Sequence, residues 1–303
     1  MRLALITVPY TSSGLDEGEA RAPAVLRAAG LLDALRRPGN DLADYGDVAF
    51  EPSTPARDPV SGIIAPRTLT GMVLAVRTAV SRAVDEARLP VVVGGECPLL
   101  LGCLAAVRDA RQRTGLLFVD GHEDAWPPHA STTGEAADME LGLALGNSRL
   151  NGMDDLAALL PLVRPEDVVV LGPRDRGEIE EGGAHSLVGT VPLFAAEAIQ
   201  RQDPGELGKS WAGQLRASAG NWWMHLDLDV LSSDALAAVR YPQPGGLGWD
   251  ELDQLATAAL GVPGLAGIDL TIYSPDLDPT GHGAEHIVSF AASLAQTLAY
   301  AER

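Results

Sequence analysis

Residues Leu116-Leu117-Phe118-Val119-Asp120-Gly121-His122-Glu123-Asp124 run from four apolar side chains straight into a polar cluster. A run this short, closed by a polar turn, fits a strand buried on both faces. If extension continues past Val119, the two-residue spacing sends Asp120, His122 and Asp124 out of one face, which suits metal ligation. The same grammar recurs on either side. Val91 to Val93 leads through Gly94-Gly95 to Glu96-Cys97, and Met224 to Leu228 carries His225, Asp227 and Asp229 at period two. Polar clusters that finish apolar strands mark the carboxyl ends of an open α/β sheet, where sites gather.

Working outward, Leu3 to Val8, Val168 to Leu171 and Gly267 to Ile272 are further short apolar runs. Thr70 to Ala87 and Pro98 to Arg111 have the apolar spacing of helices that cover a sheet, and Gly94-Gly95 fits a sharp strand exit. This alternation predicts an α/β fold with a mostly parallel sheet and helices on both faces. Gly182 to Gly189 and Pro204 to Gly220 are Gly- and Pro-rich and read as surface connection or lid. No composition break sets a boundary, so one domain over 1–303 is expected. Neither an internal repeat nor a phosphate-cradling glycine signature is found.

The 303 residues, 46% of them hydrophobic, suffice for a large core. A formal net charge of -19 opposes a broad basic surface for nucleic acid or anionic membrane and favours cytoplasmic small-molecule chemistry. The two cysteines, Cys97 and Cys103, share one segment and make no framework for a disulfide-rich secreted fold. The N-terminal apolar run stops at Pro9, too short for a membrane span or signal peptide.

Four aspartates on buried strand ends repel one another and pay a large desolvation penalty unless cations compensate them. Two divalent ions, bridged by carboxylates and holding a hydroxide between them, would do so. The alternative is a set of solvated strand-end acids beside an ordinary structural histidine. Cys97 is either a soft thiolate ligand or a packing residue, and Cys103, six residues on in a helix, packs.

Three motifs resemble those of the ureohydrolases, the family of arginases, agmatinases and formiminoglutamases. Gly94-Gly95-Glu96-Cys97 is similar to that family's Gly-Gly-Asp-His, Asp120 to Asp124 to its Asp-Ala-His-x-Asp, and His225 to Asp229 to its Ser-x-Asp-x-Asp. Arg21 to Leu31, Asp44 to Asp47, Pro244 to Leu247 and the segment from Gly267 to Pro275 extend the likeness along the chain. The resemblance implies a three-layer α/β/α arginase-like fold, a homo-oligomer, and two manganese ions that activate a bridging hydroxide. By position, Cys97 and Asp124 would serve the first metal, His122 and Asp229 the second, with Asp120 and Asp227 shared. A thiolate at position 97 adds charge and softness and opens zinc or mixed occupancy. A cysteine there also resembles some hydroxyarginine amidinohydrolases.

The pattern fails at two places. The family's active-site histidine falls at Ala137, and its guanidinium-contacting glutamate falls at Ile272. Glu135, Asp138 and His129 are nearby substitutes or else loop polar residues. His225 stands where serine is usual; it is read as orienting a carboxylate, with approach to the first metal or plain packing as alternatives. Trp126, Trp222, Trp223 and Trp249 line an apolar entrance or, more safely, are core or interface groups. The reading is a metal-dependent hydrolase of a linear C–N bond in an amidino- or guanidino-like substrate, other than an ordinary arginase. Asp124 would orient the hydroxide, and His129 or Glu135 would deliver the proton to the leaving nitrogen. The alternatives are an agmatinase, arginase or N-hydroxyarginine amidinohydrolase, or a metal-binding regulatory homologue with weak turnover.

Overall fold

A computed structural model describes residues 1–300, and the expected domain limit at 303 lies outside the described residues. Eight strands, β1 (Arg2–Val8), β2 (Asp41–Asp47), β3 (Leu89–Gly94), β4 (Gly115–Val119), β5 (Val168–Gly172), β6 (Leu193–Ala195), β7 (Trp222–Asp227) and β8 (Leu265–Thr271), join one sheet. Their order is β2-β1-β3-β8-β7-β4-β5-β6, and every pairing is parallel. The six apolar runs are the inner strands β1, β3, β4, β5, β7 and β8. The two short or polar edge strands, β2 and β6, lack such a run and were not anticipated.

Side-chain alternation divides the core into two layers. Leu117, Val119, Met224, Leu226, Ile268 and Leu270 face one way, toward helices that include Pro204–Ala219, Trp249–Leu260 and His282–Tyr300. Leu116, Phe118, Val92, Val170 and Trp223 face the other, toward helices Pro66–Asp85 and Leu99–Arg111. The architecture is therefore three-layered α/β/α, as the resemblance implied. Pro204 to Gly220 corrects the reading of a surface connection: it is a 16-residue helix. Asp203 caps it by accepting from Glu206 N, Pro204 opens it, and Gly220 ends it in the left-handed region. Its Gly and Ser content hid a buried stripe at Leu207, Ala212 and Leu215. Among the described residues, no helix is long and apolar enough to cross a membrane.

What positions the site is the run of four central strands β3-β8-β7-β4, whose carboxyl ends lie side by side. Register places Phe118 beside His225, His225 beside Asp269, and Asp269 beside Val92. A row of two apolar and two polar residues thus crosses the sheet on the face that packs against Leu99–Arg111.

Candidate metal centre

The four strands deliver their clusters by different routes. After β3 the chain turns at Gly94-Gly95, where a Cβ on Gly95 would stand 2.1 Å from Tyr10 O, so only glycine lets β1 and this turn approach. Cys97 follows, fully buried, with Sγ 2.5 Å from Asp227 Oδ2 and 3.1 Å from Thr271 Oγ1. Cys103 is buried among apolar side chains on the helix beyond and packs, as expected.

The aspartates converge, but not by continued extension. β4 stops at Val119, and residues 120–124 form a turn in which His122 N donates to Asp120 Oδ1 at 2.7 Å and Asp124 adopts φ 41°. β7 likewise stops at Asp227, and Asp229 sits on a 3-10 turn, Leu228–Val230, whose Asp229 N donates to Asp227 Oδ1 at 2.7 Å. The expected single strand face is therefore replaced by two tight turns that face each other. Gly121 joins them: its N–H reaches Asp229 Oδ1 at 2.9 Å, and a Cβ there would meet Asp229 oxygens at 2.7 Å. His122 Nδ1 lies 2.9 Å from Asp229 Oδ2, and Arg174 donates to Asp229 O at 2.7 Å.

Three groups of donors gather within 4.8 Å: Cys97, Asp120, Glu140 and His225; Asp120, His122 and Asp124; and Asp120, Asp227 and Asp229. Asp120 belongs to all three. Glu140 is the residue that sequence reading missed. It opens the short helix Glu140–Ala144, fully buried, in the stretch Met139 to Leu145 whose other residues are apolar or glycine. A lone carboxylate in such a stretch is the signal that was there to use.

Several buried atoms of this cluster lack a hydrogen-bond donor or acceptor: Asp120 Oδ2, both Glu140 oxygens and His225 Nε2. Orphaned buried polar atoms are costly and are seldom left without a partner. Burial, followed by the neighbouring Asp120, pushes the Asp124 carboxyl well above the usual range; burial and Asp229 do the same to Asp227. Burial and the adjacent Asp227 also push the Cys97 thiol up. A divalent cation reverses that logic, since it supplies the missing partner and favours every charged form at once. The donor set, one thiol, two imidazoles and five carboxylates, fits bound metal.

Above the cluster opens a cavity of about 330 Å³. His122, Asp124, Asp227 and Asp229 line it, whereas Cys97, Asp120, Glu140 and His225 lie beneath. Its wall carries Glu135, which accepts from the Tyr241 hydroxyl at 2.9 Å, and Asp138, which accepts from Ser131 and Thr133 hydroxyls at 2.7 Å each. Ala137 and Ile272 line it too, Ile272 with φ 71°. Among the described residues that line the cavity, Arg240 is the only Lys or Arg, and it pairs with Glu19 at 3.2 Å. His129 is exposed and stands outside the lining. Of the four tryptophans singled out in the sequence, Trp126 lines the cavity, Trp222 and Trp223 are core, and Trp249 stacks against His286. The stretch Gly182 to Gly189 is no lid: Ser186 Oγ and Leu187 N both donate to buried Glu123 and so anchor the turn that holds the aspartates.

A sequence profile of the "Arginase family" matches residues 1–300. An arginase of Bacillus caldovelox is 25% identical over 96% of this chain and 97% of its own length. Its native structure superposes with a TM-score of 0.85 at 24% identity, covering 97% of this chain and 98% of that one. A proclavaminate amidino hydrolase from Streptomyces clavuligerus gives 0.72 at 18% identity, covering 99% and 93%.

Proposed function

This chain belongs to the arginase family, and from that premise we propose that it hydrolyses a linear C–N bond of a small amidino- or guanidino-like substrate with two divalent metal ions. The observation that carries the reading is the shared position of Asp120 among three donor groups beneath a cavity of substrate size. Asp120 and Asp227 would be shared between the ions, Cys97 and Asp124 would hold the first, and His122 and Asp229 the second. When bound, such a pair supplies Lewis acidity and a water acidic enough to act as nucleophile near neutral pH.

The chain's own residues do the rest. Asp124, at the cavity floor, orients the attacking oxygen from one of its carboxylate oxygens. Glu135, held on the wall by the Tyr241 hydroxyl, would take the proton released by the attacking water and pass it to the departing nitrogen, a task for which exposed His129 is badly placed. The small cavity limits bulk water around the reacting carbon. Manganese is the first expectation for the metals; the protein is expected to act in the cytoplasm, as one domain per chain, in a homo-oligomer.

Arginine itself fits poorly. Ile272 offers an apolar surface and no charge-assisted hydrogen bond to a guanidinium. Glu135, Asp175 and Glu178 on the wall accommodate a cation from other directions but oppose arginine's α-carboxylate. The test is kcat/KM for arginine, agmatine, hydroxyarginine and uncharged amidines at matched metal occupancy. Arginine should not lead; a lead of about tenfold, roughly 1.4 kcal/mol of transition-state discrimination, overturns this assignment. Ala137 supports a second reading, a metal-binding homologue with weak turnover, because no imidazole but His122 lines the cavity among the described residues. Binding of these compounds without hydrolysis would favour it.

A further inference from the structure

We infer that the cluster is a pair of unlike cation sites: a deep site held by Cys97, His225, Glu140 and Asp120 that selects a borderline-soft divalent ion such as zinc, and a cavity-facing site of His122, Asp124, Asp227 and Asp229 that takes a harder ion such as manganese. This rests on the two-metal reading above, adds His225 and Glu140 as ligands, keeps Asp120 shared between the two sites, and moves Asp124 and Asp227 to the cavity-facing one.

His225 carries the argument. Its ring cannot swing, because Phe118 stacks on it at 4.6 Å between centroids and Nδ1 lies 2.5 Å from Asp269 Oδ2. Asp269 is itself fixed, since its Oδ1 accepts from Trp223 Nε1 at 2.5 Å. A carboxylate on Nδ1 keeps a proton there, so a cation that displaces the Nε2 proton meets a lone pair oriented as in metal-bound imidazoles. That Nε2 is fully buried, has no hydrogen-bond partner, and stands 3.7 Å from the equally orphaned Asp120 Oδ2. The distance is too long for a hydrogen bond and leaves the two atoms facing one point.

Glu140 faces the same point from the helical layer that packs on this face of the sheet, with neither oxygen receiving a hydrogen bond, and Cys97 Sγ completes the group. Hydrogen bonds offset the burial of these four residues only in part: one oxygen of Asp120, both oxygens of Glu140 and one nitrogen of His225 lack partners. A cation supplies all of these partners together. One sulfur and one imidazole among the donors favour zinc over manganese, whereas one imidazole and three carboxylates at the other end favour the harder ion. On binding, the Cys97 thiol gives its proton to solvent and the thiolate pairs with the cation, so affinity at the deep site rises with pH.

The full chain, stripped of metal by chelation, is titrated with cobalt(II). A sulfur-to-cobalt charge-transfer band in the near ultraviolet should saturate at one equivalent while visible ligand-field absorption grows to two. One equivalent of zinc should abolish the band, and excess manganese should not. Metal analysis after loading with excess manganese and limiting zinc should return one of each. H225N and E140Q should keep the band but weaken zinc at that site at least about tenfold, as loss of a ligand does. Absence of the band from the wild-type protein at full cobalt loading overturns the inference without any variant. So does zinc affinity in folded H225N and E140Q equal to the wild type. Turnover of amidino substrates without the band would sink this inference alone, and the band without turnover of any C–N substrate would sink the proposed function alone.

Discussion

The two ends of the cluster are built by different means. The deep end is anchored by a strand residue: His225 on β7 stands in register between Phe118 on β4 and Asp269 on β8, so the imidazole plane is set by the sheet itself. The cavity-facing end hangs on turns, with Asp124 at φ 41° and Asp229 on a 3-10 turn held by its neighbour's carboxylate. Strand positions are rigid and fix which donors meet; turn positions adapt and meet the substrate. A site can thus keep its metal geometry at one end while its chemistry varies at the other.

The largest effect should come from the residue common to both ends. Asp120→Asn should empty both metal positions and lower kcat/KM by at least about a thousandfold, near 4 kcal/mol, read by metal content and initial rates. If one ion stays bound with full affinity, Asp120 is not shared and the two ends are separate sites. Glu135→Gln should confine its damage to the cavity side, lowering kcat about tenfold, or roughly 1.4 kcal/mol, with metal content unchanged. Loss of metal in that variant would dissolve the division between ends.

The smallest effect belongs far from both, on edge strand β2, where Arg27 makes a two-pronged bond to Asp44 at 2.8 Å. The hydrogen bond from Arg27 holds the Asp44 carboxyl below its usual range. A lowered folded value means that the pair's contribution is complete above the unfolded value, about 3.9, and is lost as pH falls through the folded one. Asp44→Asn should therefore lower stability at neutral pH by less than about 1 kcal/mol and leave an acid denaturation curve shallower. Metal content should stay as in the parent; a change there would tie the edge to the centre.

The sheet was readable because both faces of its inner strands are buried, which leaves uninterrupted apolar runs such as Val168 to Leu171. The acids that end those runs were readable for the same reason: Asp120 and Asp227 interrupt a pattern that hydrophobic burial imposes. Edge strand β2, Asp41–Asp47, has no such pattern because it is paired on one side and half exposed. The period-two argument brought the right side chains together through the wrong geometry, since turns and not extension aim Asp124 and Asp229. Glu140 escaped because its partners come from three other segments, and only the folded chain places a helix start beside β7. His129 and Glu135 were equal in sequence, six residues apart in one loop; which of them faces the cavity is decided by Tyr241, more than a hundred residues away.

Ile272 holds a left-handed backbone that a β-branched side chain adopts only under strain, of the order of 1–3 kcal/mol. Its N–H is committed to Gly95 O at 2.9 Å, so the turn that presents Cys97 depends on that conformation being kept. Changes that install new function usually draw down a protein's reserve of stability. At this position the sign is reversed: an unbranched carboxylate side chain tolerates the backbone better than isoleucine does. An evolutionary or laboratory path that widens this enzyme's substrate range through residue 272 would therefore recover backbone strain, to be set against the repulsion a new carboxylate meets from the cavity's acids.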